Sequence, residues 1–269
     1  MKLNKEGFTF EILESLRNKR IRCELNTKPN MIIKRLLKTK NKYKWIRNNS
    51  YPLETILDLK LINSMIYLKS GNGKSHTKTK LINKLTKDLA YFMGAMRDGS
   101  LINSKGMHWI RIYDNLDSRW LDDVLVDLFK KLFDVKTKIR ISKSEKYCDI
   151  SNKPLFYQLK FILNDLHGDV PKIIKNADFN LQKHYIRGFF DAEGYVSPKK
   201  NVIMITQKNR NALNSLKRIL QNNTIKCGKI NEHRLPIYGK NNVIKFLDKI
   251  GSSNKTKLTK LNFLVRKGI

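Results

Sequence analysis

Two stretches of the chain follow one pattern: residues 89–99 read LAYFMGAMRDG, and residues 185–194 read YIRGFFDAEG. Each is an apolar, helix-forming run that contains small residues and ends in a carboxylate followed by a glycine. Glycine often ends a helix because it adopts the left-handed conformation without steric cost. We therefore expect Gly99 and Gly194 to be left-handed helix caps, which places Asp98 and Glu193 in the last helical turns.

The position of these two carboxylates is electrostatically unfavourable. The C-terminal end of a helix carries partial negative charge, which disfavours an anion there by about 0.3–1 kcal/mol. Ala90 and Gly94 lie four residues apart, as do Gly188 and Ala192, so each pair lines one helical face and permits close packing of two parallel helices. Two carboxylates brought together in this way repel each other unless a cation lies between them. The pattern therefore predicts a divalent-metal site.

The sequence after each motif also repeats. In both cases the order is strand, amphipathic helix, strands and helix. The predicted strands are 109–113, 138–142, 147–150, 202–206, 226–230 and 234–238, and the predicted helices are 118–133, 154–166, 210–221 and 241–250. Either motif alone could be an ordinary core helix with a charged last turn, but matching positions within a longer repeat argue against that. We predict an α+β fold with a duplicated αββαββα unit and pseudo-two-fold symmetry.

Shorter segments surround the two motifs in a characteristic order. VPKII at 170–174 leads into the second motif, and QKN at 207–209, IYGKN at 237–241, IG at 250–251 and KTKLTKL at 255–261 follow it. Together with the motifs, these segments resemble the LAGLIDADG homing endonucleases over residues 85–268. The resemblance implies a monomer whose two antiparallel sheets form a saddle on the DNA major groove, with divalent metal bound by Asp98 and Glu193. The two halves are expected at 85–175 and 176–269.

The first motif departs from the family pattern. In the second motif, small residues lie one and five positions before the carboxylate, whereas Arg97 and Met93 hold those positions in the first. We expect either a helix contact with a rotated register or an Arg97 side chain that turns aside near the DNA. The halves also differ after the first strand, where Tyr113-Asp114 stands in place of Gln207-Lys208.

Composition independently indicates a nucleic-acid partner. The 269 residues include 55 Lys and Arg against 23 Asp and Glu, a net charge of +32 at pH 7. Such an excess repels itself unless the protein works against a polyanion. No apolar run is long enough for a membrane-spanning helix. On or near the predicted strands, the candidate contacts to base edges and phosphates are Arg111, Lys138, Arg140, Gln207 and Lys208.

The chemistry of the predicted metal site favours Mg²⁺ or Mn²⁺. Carboxylate oxygens suit these ions better than zinc, and backbone carbonyls of Gly99 and Gly194 are candidate additional ligands. Gln207 and Lys208 are candidate catalytic residues, since a lysine could polarise water or steady a phosphate. Three widely spaced cysteines predict free thiols in a reducing compartment. Without a secretion signal, we expect a cytoplasmic or nucleoid-associated protein, and an organelle stays open.

Residues 1–80 lie outside the duplication and are predicted to form a small helical region. Predicted helices at 31–37, 41–47 and 53–61 resemble a helix-turn-helix of the kind found ahead of some archaeal members of the family. Residues 40–47 would be the recognition helix, with Lys42, Lys44 and Arg47 on phosphates or bases. The alternative is a helical extension that packs on the core. Residues 69–80 are predicted to be an exposed connector.

These observations predict a monomeric, metal-dependent, site-specific double-strand DNA endonuclease, acting at a long, nearly palindromic site and leaving a staggered break. Two alternatives stay open. One is an RNA maturase that uses the same surface to assist splicing of an intron RNA. The other is a non-cleaving DNA-binding regulator that recognises DNA through its N-terminal helices. Retention of both Asp98 and Glu193 favours cleavage.

Overall fold

The computed structural model describes residues 5–26, 49–58, 65–70 and 77–266, with side chains from residue 9 onward. Within this part of the chain there are three antiparallel sheets, packed with helices around a continuous apolar core. The predicted α+β class is therefore confirmed. No helix among the described residues is both long enough and apolar enough to cross a membrane.

The N-terminal region contains a sheet, so the prediction of a purely helical region is wrong. Its elements are helix α1 (Lys5–Ser15), strands β1 (Arg22–Leu25) and β2 (Tyr51–Pro52), helix α2 (Leu53–Asp58), and strands β3 (Met65–Ser70) and β4 (Thr77–Lys80). The strand order is β2-β1-β3-β4, and all neighbours are antiparallel. Pairing between strands far apart in sequence overrides the local polar pattern, which had indicated a connector at 69–80.

The predicted recognition helix lies outside the described residues. This applies to the helices expected at 31–37 and 41–47, and hence to Lys42, Lys44 and Arg47. The helix expected at 53–61 is observed as Leu53–Asp58, up to the end of that described range. A helix-turn-helix in this region stays a prediction.

The first half follows the predicted order and adds a strand directly after the motif. Its elements are helix α3 (Lys87–Ala95), a 3₁₀ turn (Met96–Asp98), strands β5 (Gly99–Ser104) and β6 (Met107–Asn115), a π-helical turn (Leu121–Leu125), helix α4 (Val126–Phe133), strands β7 (Lys138–Ile141) and β8 (Glu145–Ser151), and helix α5 (Lys153–Leu163). The sheet order is β5-β6-β8-β7. Helices α3 to α5 bury their apolar residues in the core together with one face of this sheet. The other face of the sheet is half-exposed.

The second half repeats this arrangement with a three-stranded sheet, β11-β10-β9. Its elements are α6 (Lys172–Lys175), α7 (Phe179–Glu193), β9 (Gly194–Ser197), β10 (Val202–Thr206), α8 (Arg210–Asn222), β11 (Arg234–Tyr238), α9 (Lys240–Lys249) and α10 (Lys255–Arg266). The predicted strand at 226–230 is wrong. That segment lies beside β11 with a hydrogen bond from the Gly228 amide to the Pro236 carbonyl, and Pro236 has no N–H to donate to a full ladder.

Polar residues begin the main helices, as their sequence positions suggest. Each accepts a hydrogen bond from the backbone amide three residues ahead, which satisfies one of the free N–H groups of the first turn. The pairs are Thr86 with Leu89, Asn152 with Leu155, Asp178 with Leu181, and Asn209 with Ala212. These caps fix the starting points of α3, α5, α7 and α8.

Candidate metal centre and nucleic-acid surface

Helices α3 and α7 touch through two glycines. A Cβ built on Gly94 would lie 2.6 Å from the Phe189 amide nitrogen, and one built on Gly188 would lie 2.9 Å from the Ala95 amide nitrogen. Real Cβ atoms do not approach backbone atoms so closely, so only glycine permits this packing. The prediction that small residues form the helix contact is confirmed. The contact brings the carboxylate ends of both helices to the same end of the pair.

The different spacing of the two motifs is absorbed by the 3₁₀ turn. Gly94 lies four residues before Asp98, whereas Gly188 lies five residues before Glu193. Helix α7 stays α-helical to Glu193, but residues 96–98 form a 3₁₀ turn, which rises about 2.0 Å per residue instead of about 1.5 Å. Both glycine-to-carboxylate segments therefore rise about 7.5 Å along the helix axis. The two carboxylates end at the same level.

Arg97 is an interior residue. Its side chain is 2% exposed, its Nη2 donates to the Gly168 carbonyl oxygen at 2.5 Å, and its guanidinium lies 5.1 Å from the centre of the Phe189 ring. Of the two arrangements expected for the first motif, the shifted helix register is therefore the one adopted. Arg97 does not turn toward a nucleic-acid surface.

Gly99 and Gly194 are extended, so the prediction of left-handed caps is wrong. Their φ values are −128° and −96°, and each is the first residue of a strand. The requirement for glycine is spatial at both positions. A Cβ on Gly99 would lie 2.7 Å from the Arg111 carbonyl oxygen, and one on Gly194 would lie 2.6 Å from the Phe190 carbonyl oxygen. At both motifs the backbone thus passes from helix to strand without a loop. This holds Asp98 and Glu193 each at the inner end of the sheet of its half.

A groove of about 980 Å³ lies at the shared end of α3 and α7. Asp98 and Glu193 line it from the two halves, and Gly194 and Lys257 line it with them. Further charged side chains in the lining are Asp114, Asp117, Glu145, Asp191 and Lys260. Among the described residues, no three His, Cys, Asp or Glu side chains converge as a ready ligand set. A cation here would therefore take only part of its ligands from the protein.

Lys257 is the residue of this groove that sequence reasoning missed. Its Nζ donates to the carbonyl oxygens of Asp191 at 2.7 Å and Phe190 at 3.0 Å, in the last turn of α7. A cation at this position offsets the partial negative charge of the helix end. The only signal in the sequence was its place within the family-like segment 255–261, because the residue lies far along the chain from either motif.

The electrostatics of the groove fit a divalent cation. Burial, followed by repulsion from Glu193, raises the pKa of Asp98 to about 7, although Lys257 opposes this shift. Burial also raises the pKa of Glu193, against the opposing charges of Arg97 and Lys257. Burial lowers the pKa of Lys257 to about 8, against the attraction of the surrounding carboxylates. Two carboxylates that resist joint ionisation, in an oxygen-rich groove, are suited to a divalent cation.

We expect Asp98→Asn to stabilise the metal-free protein at alkaline pH. The pKa of Asp98 is about 7 in the folded state against an ordinary 3.8. The folded protein therefore favours the protonated carboxyl, and the stability that this group contributes is fully present below about pH 4 and is lost as the pH rises through 7. The amide removes this loss, which we put at about 1–3 kcal/mol after allowing for solvent screening. Thermal melting in EDTA at pH 5 and pH 8 measures it, with the exposed Asp248→Asn as control. A less stable Asp98→Asn protein at pH 8 would contradict the prediction.

The strand registers correct the matching of the two halves after the first strand. Gly99 pairs with Ile112 and Gly194 pairs with Ile205, so the two strands are aligned at these isoleucines. Asp114, two residues after Ile112, is therefore the counterpart of Gln207, two residues after Ile205. The sequence comparison had placed Tyr113 opposite Gln207, which is wrong by one residue. Asp114 lines the groove, and its Oδ2 is buried without a hydrogen-bond partner among the described residues.

Gln207 and Lys208 are placed differently from Asp114. Gln207 is buried, and its Oε1 accepts from the Lys208 amide at 2.8 Å, while Lys208 is exposed. Neither is among the described residues that line the groove. A catalytic role for these two residues stays a prediction.

Asp191 ties the helix pair together. Its Oδ2 accepts from the Tyr91 hydroxyl at 2.6 Å and from the Ser253 amide at 2.8 Å, and its Oδ1 accepts from the Ser252 hydroxyl. The Tyr91 hydroxyl in turn accepts from the Trp120 indole at 2.7 Å. This buried network joins α3, α7 and the segment that leads into α10. It fixes the position of Lys257 relative to the two carboxylates.

The three basic residues predicted on the first sheet share its half-exposed face. Arg111 Nε donates to Asp149 Oδ1 at 2.9 Å and Arg140 Nε donates to Asp149 Oδ2 at 2.7 Å, while Lys138 pairs opposite Asp149 across β7 and β8. The nearly buried Asp149 carboxylate thus orients two guanidinium groups. The Arg111 guanidinium also lies 5.2 Å from the ring of Tyr147. The face thus carries two guanidinium groups whose orientation is set by one carboxylate.

Comparison with known proteins agrees with this geometry. A family model described as LAGLIDADG-like domain matches residues 180–251. A solved structure of mesophilic variants of the homing endonuclease I-DmoI superposes with a TM-score of 0.51 and 19% identity, over 61% of this chain and 90% of that one. Residues 180–251 thus form a LAGLIDADG-like domain, and the fold of the chain is that of I-DmoI. A second I-DmoI structure, in complex with DNA and Mn, gives a TM-score of 0.50 and 21% identity, over 64% of this chain and 99% of that one.

Two curated proteins are similar to this chain in sequence. Homing endonuclease I-ApeI of Aeropyrum pernix is 26% identical over 196 residues, which are 66% of this chain and 86% of that protein. A DNA polymerase of Methanocaldococcus jannaschii is 24% identical over 197 residues, or 68% of this chain. The chain spans only 11% of the length of that polymerase. The similarity is thus to a segment of the polymerase and to most of the homing endonuclease.

Proposed function

We propose that this protein is a site-specific, divalent-metal-dependent endonuclease that cleaves both strands of double-stranded DNA. The observation that carries the proposal is the pair of carboxylates, Asp98 and Glu193, one from each half, at the shared end of two packed helices. They line one groove between two antiparallel sheets. The similarity to a homing endonuclease and to I-DmoI bound to DNA and Mn supports the same function.

Asp98 and Glu193 would hold the metal, with Mg²⁺ or Mn²⁺ as the ion and with the backbone carbonyls of Gly99 and Gly194 as further candidate ligands. When bound, a divalent ion activates water for attack on the phosphodiester and stabilises the leaving oxygen. The protein's part is to hold the carboxylates at one level and to keep the groove open to DNA. One carboxylate per half suits one cut per strand, which gives a staggered break near the centre of a nearly palindromic site.

Lys257 contributes a fixed positive charge beside both carboxylates. Held by two carbonyl oxygens of α7, it is close enough to Asp98 and Glu193 to favour their ionised forms. We propose that it also offsets charge that develops on the phosphodiester during cleavage, because a fixed charge in a partly dry site needs no reorganisation.

We expect Lys257→Met to lower the cleavage rate by about 10²- to 10³-fold, because a single preorganised charge contributes this much in other active sites. DNA affinity should change by less than about 5-fold, since one charge among many carries little of the binding. Lys260→Met is the matched control, with the same charge removed from the same helix and groove wall. Equal rates for the two variants under single-turnover conditions would contradict the role of Lys257.

The sheet faces would contact DNA. Arg111, Lys138 and Arg140 lie on the half-exposed face of the first sheet, and we propose that they meet base edges and phosphates in the major groove. In the second half, the exposed Lys208 and the neighbouring Gln207 are the corresponding candidates. Because each phosphate contact releases counterions from the DNA, affinity should fall by about 0.9 log unit per log of salt for each phosphate contacted. We propose a monomer that acts in the cytoplasm or nucleoid.

The proposed function is tested by selecting cleavage sites from a randomised duplex library with Mg²⁺, beside an Asp98→Asn, Glu193→Gln double variant. We expect staggered ends at one long site with the wild type and none with the variant, although both bind that DNA. Tight, salt-sensitive binding without cleavage by either protein would contradict the proposal. It would instead favour a non-cleaving regulator, and preferential binding of an intron RNA would favour a maturase.

A further inference from the structure

A second cavity lies where the N-terminal sheet meets the first half. It has a volume of about 500 Å³, and side chains from both parts line it. The polar and charged residues that matter here are Arg20, Arg22, Ser70, His108, Ser151 and Lys153. The cavity is thus made by the ends of several elements that are distant in sequence, and it is separate from the groove that contains Asp98 and Glu193.

The cavity is strongly basic. Arg20, Arg22 and Lys153 line it, and Glu54 is the one carboxylate among its described lining residues. Glu54 already accepts from the Asn18 backbone amide at 3.2 Å. Burial, then repulsion from Arg20 and Lys19, lowers the pKa of Lys153. Like charges held together in this way are relieved by an anion between them.

The cavity is preformed, because the N-terminal sheet is hydrogen-bonded to the first half. Asn152 Nδ2 donates to the Lys78 carbonyl at 3.1 Å, and Thr79 Oγ1 donates to the Phe133 carbonyl at 3.1 Å. The Ile82 amide donates to Gln158 Oε1 at 2.8 Å. These bonds are buried or partly buried, so they fix the N-terminal sheet relative to the first half.

The cavity lies at the outer end of the first sheet, at the border between the half-exposed face and the helix-covered face. Strand β5 runs from Gly99, beside Asp98, to Ser104, which pairs with Met107 at the cavity wall. This run is about 17 Å long at about 3.3 Å per residue. Met107 and Ser151 have the same strand parity as Arg111, so they point to the half-exposed face. His108, which also lines the cavity, has the opposite parity and contacts Phe156 on the helix-covered face. A duplex rises 3.4 Å per base pair, so the cavity lies about five base pairs from the carboxylates.

We propose that this cavity binds a backbone phosphate of the DNA about five base pairs from the centre of the recognised site, on the side of the first half. The inference rests on the proposed function, because it takes its distance from the cleavage centre. Arg20 and Lys153 supply the charge, and Ser151 supplies a hydroxyl at the cavity wall. The N-terminal sheet thereby becomes part of the DNA-binding surface. Because this contact exists only beside the first half, the two halves bind the DNA with unequal numbers of contacts.

The test compares an Arg20→Ser, Lys153→Ser double variant with a Lys87→Ser, Lys160→Ser control that loses the same charge from exposed helical positions. Binding to the selected site is measured in EDTA by fluorescence anisotropy at several salt concentrations. We expect the variant to bind about 10-fold more weakly and its salt slope to be smaller by about one, as for one lost phosphate contact, whereas the control changes little. Variant and control with the same affinity and slope would overturn the proposal.

A second measurement locates the phosphate. Single methylphosphonates, which lack the phosphate charge, are placed four to eight base pairs from the centre on either side. We expect one or two positions on one side to weaken wild-type binding and to leave the Arg20→Ser, Lys153→Ser variant unaffected. Uniform effects on both proteins would contradict the assignment. If inorganic phosphate raises the melting temperature of the wild type but not the variant, while DNA binding is unchanged, the cavity holds free phosphate and the proposal fails.

Different results would contradict the proposed function and the phosphate cavity. A wild-type protein that binds no DNA tightly would contradict the proposed function itself. A wild type that binds and cleaves one site, with affinity unaffected by Arg20→Ser, Lys153→Ser, would contradict only the phosphate cavity. Both variants change surface-accessible side chains, and their melting temperatures show whether each protein is folded before binding is measured.

Discussion

Asp98→Asn and Glu193→Gln are each expected to slow double-strand cleavage by at least about 10³-fold while DNA binding stays within about 3-fold of the wild type. Each amide keeps the shape of the side chain and removes the charge that would hold a divalent ion. A bound divalent ion would stabilise both the attacking and the leaving oxygen, so loss of one of its ligands costs several kcal/mol of transition-state stabilisation. Each 1.36 kcal/mol is a factor of ten in rate. Binding survives because most of the basic surface is unchanged.

Conversion of a supercoiled plasmid with the selected site to nicked and linear forms measures this prediction. Asp117→Asn is the matched control, because Asp117 also lines the groove but belongs to neither motif. We expect the control to cleave within about 10-fold of the wild type, since screening reduces the effect of more distant charges. An Asp98→Asn or Glu193→Gln protein that cuts both strands as fast as the control would contradict the assigned roles.

Gly94→Ala and Gly188→Ala are expected to lower the free energy of unfolding by about 3–5 kcal/mol each. On an isolated helix, alanine would stabilise by about 0.8–1.0 kcal/mol relative to glycine, so the sign itself is diagnostic. The Cβ of the first variant would meet the Tyr185 carbonyl, and that of the second would meet the Tyr91 carbonyl. These are backbone atoms within packed helices, so they cannot move aside without separating α3 from α7.

Equilibrium unfolding in urea measures these changes. Gly106→Asn is the control, since no atom lies within 4 Å of its Cβ position, and asparagine tolerates its φ of +77° better than other side chains. The control should stay within about 1 kcal/mol of the wild type. A Gly94→Ala or Gly188→Ala protein that is as stable as the wild type would mean that the helices do not pack as described. Weaker metal binding should accompany the instability, because the same contact sets the level of Asp98 and Glu193.

The sequence was sufficient to predict the duplicated unit and the two carboxylates. Each motif couples a helix-packing pattern to a terminal acid and glycine within about ten residues, and local spacing carries that information directly. The helices predicted at 154–166 and 210–221 were close to the observed Lys153–Leu163 and Arg210–Asn222, whose first turns Asn152 and Asn209 cap. In contrast, the left-handed conformation predicted for Gly99 was wrong. The end of a helix and the start of a strand can require glycine for different reasons. One is backbone conformation, and the other is space.

The missed features depend on contacts between distant parts of the chain. Lys257 reaches the groove only because the Asp191 network fixes the segment before α10 against α7. Asp114 could be matched to Gln207 only after strand register had aligned Ile112 with Ile205. The strands of the N-terminal sheet have only two to six residues, and β4, which reads TKTK, resembles a polar connector until its partner strand is known. Local pattern does not specify pairing of this kind.

Anomalous diffraction from crystals of the protein with its selected DNA and Mn²⁺ tests the central claim most directly. We predict Mn²⁺ peaks at the shared end of α3 and α7, within about 2.0–2.5 Å of carboxylate oxygens from both Asp98 and Glu193 and of a backbone phosphate oxygen of the DNA. Peaks confined to other acidic side chains, or DNA bound away from the groove between the two sheets, would contradict the account.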